Sequence, residues 1–374
     1  MKILSIGTDK SALNINSETA KRAIEYGALV EKITIIVPNS VCSEVDLSVN
    51  VKAISAGGGG KFFQFFSILF FLFKLAKKEK FDLITVQDPY YLALLGLILR
   101  WRFGIGLHIQ LHGWEKFEGL RAATAKFVLP RANAVRTVSQ RLKKQLINEF
   151  KVKEEKITVA PIFVERITRN VERAIRNNDK FIFLTVGRLA PVKNISLQIE
   201  AMAEVTNNLQ LTTSNIKVEL WIVGEGKERK KLELKIKNLR LGNNVKLLGQ
   251  KNREELCDIY SKADAFLLTS DYEGWGLVVI EAASFGLPII MTDVGCAGEV
   301  IKDPLTSSGQ ASGIIIPVGD KEKLIAAMVE IINNKELRKK IGEGARRAIS
   351  RLPSKEEMLR LYKKSWEKAT SRNT

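Results

Sequence analysis

The chain has 374 residues, 45% hydrophobic and 27% charged, the ordinary balance of a folded soluble protein with room for two or three cored domains. Its three scattered cysteines, Cys42, Cys257 and Cys296, exclude a disulfide framework and fit a reducing cytosol, and two histidines, His108 and His112, leave little for a His-based metal site. The net charge of +18 points to an anionic partner (nucleotide phosphate, acidic headgroup, acidic glycan or nucleic acid) or to solubility by repulsion, and its even spread, with 24 Lys+Arg against 15 Asp+Glu in residues 1–165, argues against a dedicated nucleic-acid tail.

Met1–Gly7 reads as a short apolar strand, without the long apolar core and cleavage site of a signal peptide. The first half then alternates. Strands are predicted at 2–7, 33–37, 51–55, 82–86, 106–111, 133–137 and 157–160, and helices at 17–30, 61–78, 90–102, 117–129 and 139–149. Runs such as Leu83-Ile84-Thr85-Val86 lack polar alternation, as do central strands of a parallel sheet covered on both faces. This order implies a doubly wound α/β domain. Within the second helix, Phe62–Phe73 is too short to span a bilayer. Flanked by Lys61 and by Lys74, Lys77, Lys78 and Lys80, it reads either as a core helix packed between strands or as an interfacial helix on an anionic membrane.

Residues 166–180 are charged, polar and poorly periodic, and are expected to connect two domains. A second series opens with Phe181–Gly187. Strands follow near 217–223, 244–248, 264–269, 288–291 and 313–316, and helices near 194–206, 226–239, 252–261, 277–286, 320–334 and 335–350. Pro353 marks a break before a last helix near 355–370. The expected organisation is an α/β chain of two doubly wound, Rossmann-like domains, 1–165 and 181–352, facing across a cleft, with 353–374 as a terminal helix. Ligands of open α/β sheets bind beyond the carboxyl ends of the strands, so candidate residues are sought there.

After the strand ending at Val186 come Gly187, which permits a sharp exit, Arg188, a planar fork for phosphate, Lys193, a point charge near a helix start, and Asn194, an N-cap candidate. Gly224-Glu225-Gly226 and Leu248-Gly249 follow the next two strands; each reads as a backbone approach to phosphate or as a plain tight turn. After Ala265–Thr269 comes Glu273-Gly274-Trp275-Gly276-Leu277, with seven residues between Glu273 and Glu281. Glu273 falls in the strand-to-helix turn and Glu281 about two turns along the helix. The helix start, with its unpaired N–H groups, suits an anion, and the two carboxylates suit the hydroxyls of a sugar and a ribose.

Taken together, residues 181–300 closely resemble the retaining glycosyltransferases of family 4, which have the two-domain GT-B fold. The matching pieces are Val186-Gly187-Arg188-Leu189 with Lys193-Asn194, Ile222–Gly226, Val245–Gly249 and the Glu273…Glu281 element. The first half resembles the family mainly at Gln110-Leu111-His112-Gly113-Trp114, and departs from it at Gly7-Thr8-Asp9-Lys10, where many members carry a glycine pair. The resemblance implies that Arg188 and Lys193 hold the diphosphate of a nucleotide-sugar donor and stabilise the leaving group. Glu281 would accept the ribose hydroxyls, and Glu273 hydroxyls of the donor sugar. Leu248 and Gly249 would meet the base, and Gly187 and Gly224 would line the donor pocket. Gly274, Trp275, Gly276 and Leu277 would bring amides to the phosphates, His112 would approach the donor sugar, and the last helix would cross back onto the first domain.

The implied reaction moves a hexose-type sugar to a hydroxyl acceptor, a glycan or lipid-linked glycan, with retention. No Asp-x-Asp cluster accompanies the phosphate site, so two cations are expected to serve in place of a metal, and no cofactor beyond the donor substrate is expected. A cytoplasmic enzyme is expected, peripheral on the inner face of a membrane if 61–80 engages lipid, without a nucleic-acid partner. A phosphorolytic or hydrolytic relative, or an inactive nucleotide-sugar or nucleic-acid binding protein, stands as the alternative.

Overall fold

The computed structural model describes the chain except residues 40–41, 57–60, 114–118, 166–179, 211–215, 305–310 and 372–374, and except the side chains of 61–63 and 208–210. The chain forms two compact units, Met1–Pro161 with Pro353–Thr374, and Ile162–Leu352. The connection expected at 166–180 lies outside the described residues up to Lys180, which opens a strand.

In the first unit the strands are β1 (Lys2–Ile6), β2 (Lys32–Pro38), β3 (Ser43–Ser48), β4 (Val51–Ala56), β5 (Leu83–Val86), β6 (Gly106–Leu111), β7 (Ala134–Thr137) and β8 (Ile157–Val159). They form one sheet in the order β3-β4-β2-β1-β5-β6-β7-β8, parallel except where β3 pairs antiparallel with β4. Its helices are α1 (Glu18–Gly27), α2 (Lys61–Lys78), α3 (Tyr91–Phe103), α4 (Gly119–Val128) and α5 (Gln140–Asn148). Parallel strands need right-handed crossovers, which put α2 to α5 on one face of the sheet and α1 on the other. The sequence reading missed β3. An edge strand of composition SEVDLS buries only Leu47 and keeps Glu44 and Asp46 on Lys52 of β4, so it carries almost no apolar signal.

The second unit holds β9 (Lys180–Val186), β10 (Lys217–Val223), β11 (Val245–Gly249), β12 (Ala265–Leu268), β13 (Ile289–Thr292) and β14 (Ile314–Ile316), with α6 (Ile195–Gln210), α7 (Arg229–Asn238), α8 (Arg253–Lys262), α9 (Leu277–Ser284), α10 (Lys321–Asn333) and α11 (Lys335–Ser350). The strands run parallel in the order β11-β10-β9-β12-β13-β14. Phe183, Leu184, Leu220, Ile222, Phe266, Leu267 and Ile289 are fully buried, which is why these strands read as unbroken apolar runs.

The last helix, α12 (Lys355–Thr370), opens on a capping box between Ser354 and Glu357 and packs on β6, β7 and β8 of the first unit. A buried polar chain fixes it there. His108 meets Ser365 Oγ through Nε2 at 2.9 Å and Thr85 Oγ1 through Nδ1 at 2.8 Å, and Gln110 donates to Thr85 at 3.1 Å. Arg136, fully buried, donates to the Ala160 carbonyl at 2.6 Å and to Gln110 Oε1 at 3.4 Å, with its guanidinium 3.9 Å over the Tyr362 ring. Burial, then the Arg136 charge, push the His108 imidazole down to about 3, so it stays neutral, donating at one nitrogen and accepting at the other. Replacing Ser365 by Ala leaves that nitrogen buried without a partner. We expect a loss of about 1–3 kcal/mol in denaturant unfolding of the first unit, with unfolding of the second unchanged.

Candidate functional site

The second sheet reverses strand order between β9 and β12. At such a reversal the loops leave the carboxyl edge in opposite directions and a crevice opens between them. The two loops here are 187–194 and 269–276, and they carry Arg188, Lys193 and Glu273. They are bound to each other over their length. Asp271 N donates to the Val192 carbonyl at 2.8 Å, and the Thr269 hydroxyl is shared by the carbonyls of Lys193 (3.2 Å) and Asn194 (3.0 Å). Gln198, fully buried on α6, donates to that hydroxyl at 2.8 Å. Asn194, expected to cap α6, instead adopts the left-handed conformation (φ 45°) and donates its side chain to Asp271 Oδ1 at 3.0 Å.

This bracing brings together residues 80 positions apart. Lys193 Nζ lies 2.5 Å from Glu273 Oε1, which also accepts from the Ser270 hydroxyl at 2.7 Å. Both side chains are mostly buried, at 21% and 12% exposure, so the pair is poorly screened. Arg188 is exposed and makes no ion pair with the described residues. The loops therefore offer one neutralised cation and one uncompensated one.

Backbone hydrogen bonds join the strand ends, and at Gly224 glycine is a steric requirement. Gly187 N donates to the Val223 carbonyl at 2.9 Å and Gly224 N to the Gly249 carbonyl at 2.8 Å, so three adjacent exits are tied edge to edge. Gly224 has φ 138°, and a Cβ there would stand 1.9 Å from the Gly187 carbonyl oxygen. Half-buried Leu248 and Gly249 end β11 beside them.

On the other side of the reversal, Gly276 (φ 87°) turns the chain into α9, the helix expected at 277–286. The loop after β13 seals this turn: Cys296 N donates to the Trp275 carbonyl at 3.0 Å, and at Gly295 (φ 57°) a Cβ would come within 2.7 Å of the same oxygen. Trp275 is buried at 3% exposure, so its side chain is a wedge under the turn, and what Gly274 to Leu277 present is backbone. Val279 N donates to the Gly276 carbonyl at 2.9 Å, and the amides of Leu277 and Val278 have no partner within the helix. Glu281 follows on α9. Tyr260 of α8, fully buried and stacked on Phe285 (centroids 5.2 Å apart), donates its hydroxyl to Glu281 Oε2 at 2.9 Å. Burial raises the Glu281 carboxyl above its ordinary value, opposed by the Tyr260 hydrogen bond and the Arg253 charge.

In the first unit, His112 follows β6 directly, next to buried Gln110; Trp114 lies outside the described residues. His112 is exposed, and its pKa is lowered by desolvation first and then by the charges of Arg136 and Arg22. That sheet reverses between β1 and β5, where a Cβ on Gly7 would stand 2.7 Å from Gln87 Oε1. The sequence reading missed Tyr260, Ser270, Thr269 and Gln198. A hydroxyl or amide aimed at a residue far along the chain leaves no periodic mark. Among the described residues no three His, Cys, Asp or Glu side chains gather as a metal-binding group.

Comparison with known proteins gives the following. The pattern described as Glycosyl transferases group 1 matches residues 167–348, and that described as Glycosyltransferase Family 4 matches residues 20–166. An uncharacterised glycosyltransferase of Methanocaldococcus jannaschii is 26% identical over 298 residues, 76% of each chain. The UDP-Gal:alpha-D-GlcNAc-diphosphoundecaprenol alpha-1,3-galactosyltransferase of Escherichia coli is 27% identical over 286 residues, 71% of this chain and 70% of its own. The Anabaena protein HepE, solved with UDP, superposes with a TM-score of 0.74 at 18% identity, over 98% of this chain and 100% of its own; both chains share the GT-B fold.

The Glu281 environment sets a pH dependence. With the ribose-binding role that the family resemblance implies for Glu281, affinity for nucleoside diphosphate should fall as the carboxylate is protonated, through a midpoint above the ordinary carboxylate range. Tyr260→Phe removes a hydrogen bond that favours the ionised form, so its midpoint should move to higher pH. Calorimetric titration of both proteins with UDP and GDP across pH reads the two midpoints.

Proposed function

The chain belongs to the family 4 (group 1) glycosyltransferases of GT-B fold, and on that premise we propose that it moves a hexose-type sugar from a nucleotide-diphosphate sugar to a hydroxyl acceptor with retention of configuration. The observation that carries this reading is the braced pair of loops at the strand reversal, which holds Lys193 against Glu273 beside Arg188 and the start of the helix bearing Glu281. Cleavage of an anomeric carbon–phosphate bond passes through an oxocarbenium-like state and leaves negative charge on the diphosphate. Lys193 and the amides at the start of α9 are held in place before the donor arrives, and exposed Arg188 adds an uncompensated cation, so together they favour the developing charge over the ground state. Glu273 holds hydroxyls of the sugar and Glu281 those of the ribose. Leu248 and Gly249 border the base, while Gly187 and Gly224 keep the strand ends open to it. The acceptor attacks from the face the phosphate leaves, and a phosphate oxygen takes its proton.

The first unit binds the acceptor, with His112 the residue on that unit that approaches the donor sugar. The acceptor is a glycan or lipid-linked glycan, a reading supported by the Escherichia coli relative, whose name carries a diphosphoundecaprenol-linked sugar. The enzyme works in the cytoplasm, on the inner face of an anionic membrane, without a nucleic-acid partner. Two cations and a helix start supply the charge stabilisation, so no metal is required.

The test is release of free diphosphate from a panel of UDP- and GDP-sugars, with and without acceptor and in excess chelator. Acceptor-dependent release that survives chelation, with an anomeric configuration equal to the donor's by NMR, is the expected result. Acceptor-independent release, or rescue by magnesium or manganese, contradicts it. Arg188→Ala and Lys193→Ala should each lose about 2–4 kcal/mol of transition-state stabilisation, roughly 30- to 1000-fold in kcat/KM.

The Lys193–Glu273 pair separates the two glutamates. Glu273→Gln frees the Lys193 ammonium, so affinity for the diphosphate alone should rise about fivefold, ~1 kcal/mol, while transfer falls. Glu281→Ala should weaken the diphosphate and the donor alike. Parallel losses of diphosphate affinity in both variants, by calorimetry, would overturn the assignment.

A further inference from the structure

On the first unit, α2, α3 and α4 lie side by side and parallel. Phe65 of α2 meets Tyr91 of α3 at 6.4 Å near one end of the layer and Phe73 meets Phe103 at 5.4 Å near the other, while Trp101 of α3 meets Phe127 of α4 at 6.3 Å. The inward side of α2 is core: Ile68 and Leu72 are fully buried and Ala76 nearly so. Its outward side is not. Phe66 is 53% exposed and Phe70 is 75% exposed, one turn apart, and the stripe continues into exposed Lys74, Lys77 and Lys78. The neighbouring helices extend this surface with Trp101 at 59% exposure and Leu120 at 86%. The core reading thus holds for the inward face of α2, while its outward face carries exposed aromatics beside lysines.

The charges on this layer are of one sign. Lys74, Lys77 and Lys78 on α2, Arg100 and Arg102 on α3 and Arg121 and Lys126 on α4 stand on helices whose sequences contain no Asp or Glu. On the opposite face, α1 carries Glu18 and Glu25 and α12 carries Glu356, Glu357 and Glu367, so the bias is not a property of the whole chain. Beyond this face, Lys77, Arg100 and Trp101 line an open groove of about 1410 Å³ at the amino-terminal edge of the strands, and its lining also includes Glu31, Asp82 and Glu367. Buried aliphatic side chains beneath, bulky apolar side chains in solvent and a uniform positive charge around them are what an interfacial layer on a bilayer requires. Among the described residues no helix is long and apolar enough to cross a membrane, so such contact is peripheral.

We infer that the α2–α3–α4 face is a docking surface for an anionic lipid bilayer, with Phe66, Phe70 and Trp101 entering the headgroup region and the surrounding lysines and arginines meeting lipid phosphates. The inference rests on the membrane placement proposed above and is independent of the chemistry of transfer. Anionic charge complements the face, whereas a second copy would present the same cations against it.

The experiment is co-sedimentation of the full chain with vesicles of equal parts phosphatidylglycerol and phosphatidylcholine, and with phosphatidylcholine alone. Binding is expected to the mixed vesicles at low salt, weakening as salt rises. Phe66→Ser with Phe70→Ser, and separately Trp101→Ser, should each lower partition by about tenfold or more, and Lys74→Glu with Lys77→Glu should abolish it. These side chains are exposed, so thermal unfolding and nucleotide binding should not change. Absence of binding to the mixed vesicles at low salt overturns the inference, as does binding indifferent to the aromatic substitutions. So does a lipid-free dimer that those substitutions dissociate, since the face is then a subunit interface. If vesicle binding fails while acceptor-dependent diphosphate release persists, the docking surface is wrong and the transferase reading stands.

Discussion

The reversal of strand order between β9 and β12 is the constraint on which the second unit's site depends. Neighbouring parallel strands whose connections run the same way have their carboxyl ends covered by successive loops. Only where the connections diverge do two loops part, and only there can side chains from both sides reach one ligand. A loop that parts from its neighbour loses packing, so its position must be secured otherwise. In this protein the loops are bound to each other by backbone and side-chain hydrogen bonds through Val192, Asn194, Thr269 and Asp271, with buried Gln198 behind them. Rigidity that a crevice would otherwise lack is supplied by satisfied polar groups at its base.

Charge in the site is arranged with equal care. A lysine held at 2.5 Å from a glutamate is not a bare cation, and a glutamate in contact with a buried tyrosine hydroxyl is not an ordinary surface acid. Lys193 and Glu273 neutralise each other, which lets both be mostly buried without an isolated charge. Glu281 is raised by burial and partly restored by Tyr260. In the proposed reaction these same groups meet a diphosphate and two sets of hydroxyls, so binding redistributes charge already present.

The first unit shows the opposite arrangement on its two faces. Beneath α12, an uncompensated Arg136 is held by a carbonyl, an amide and an aromatic ring, and a neutral His108 links strand to helix. Polar groups are buried there and mostly bonded, though Arg136 Nε and Trp366 Nε1 find no hydrogen-bond partner among the described residues. Across the sheet, α2, α3 and α4 bury aliphatic side chains inward and leave aromatics and cations in solvent. The same sheet thus holds the last helix on one side and carries the proposed docking surface on the other.

Local pattern carried much of this. Apolar runs without alternation marked the parallel strands, helical periodicity placed α2, α11 and α12 at their observed bounds, and the glycines at 224 and 276 sit where a side chain would collide or φ is positive. The spacing of Glu273 and Glu281 was legible because both lie within one strand–turn–helix unit, whose geometry is local. Other features were not legible. The polar edge strand β3 lacks the apolar signal that defines a strand, and Asn194, a good cap by type, was taken over by Asp271 of another loop. The pairing of Lys193 with Glu273 joins residues 80 apart, and that of Tyr260 with Glu281 joins residues 21 apart. Residue type and spacing determine which elements form and which face each can bury, because those depend on neighbours a few positions away. Which strands lie adjacent, and therefore which distant charges meet, was decided only when the sheets closed, because that order follows from packing among whole elements.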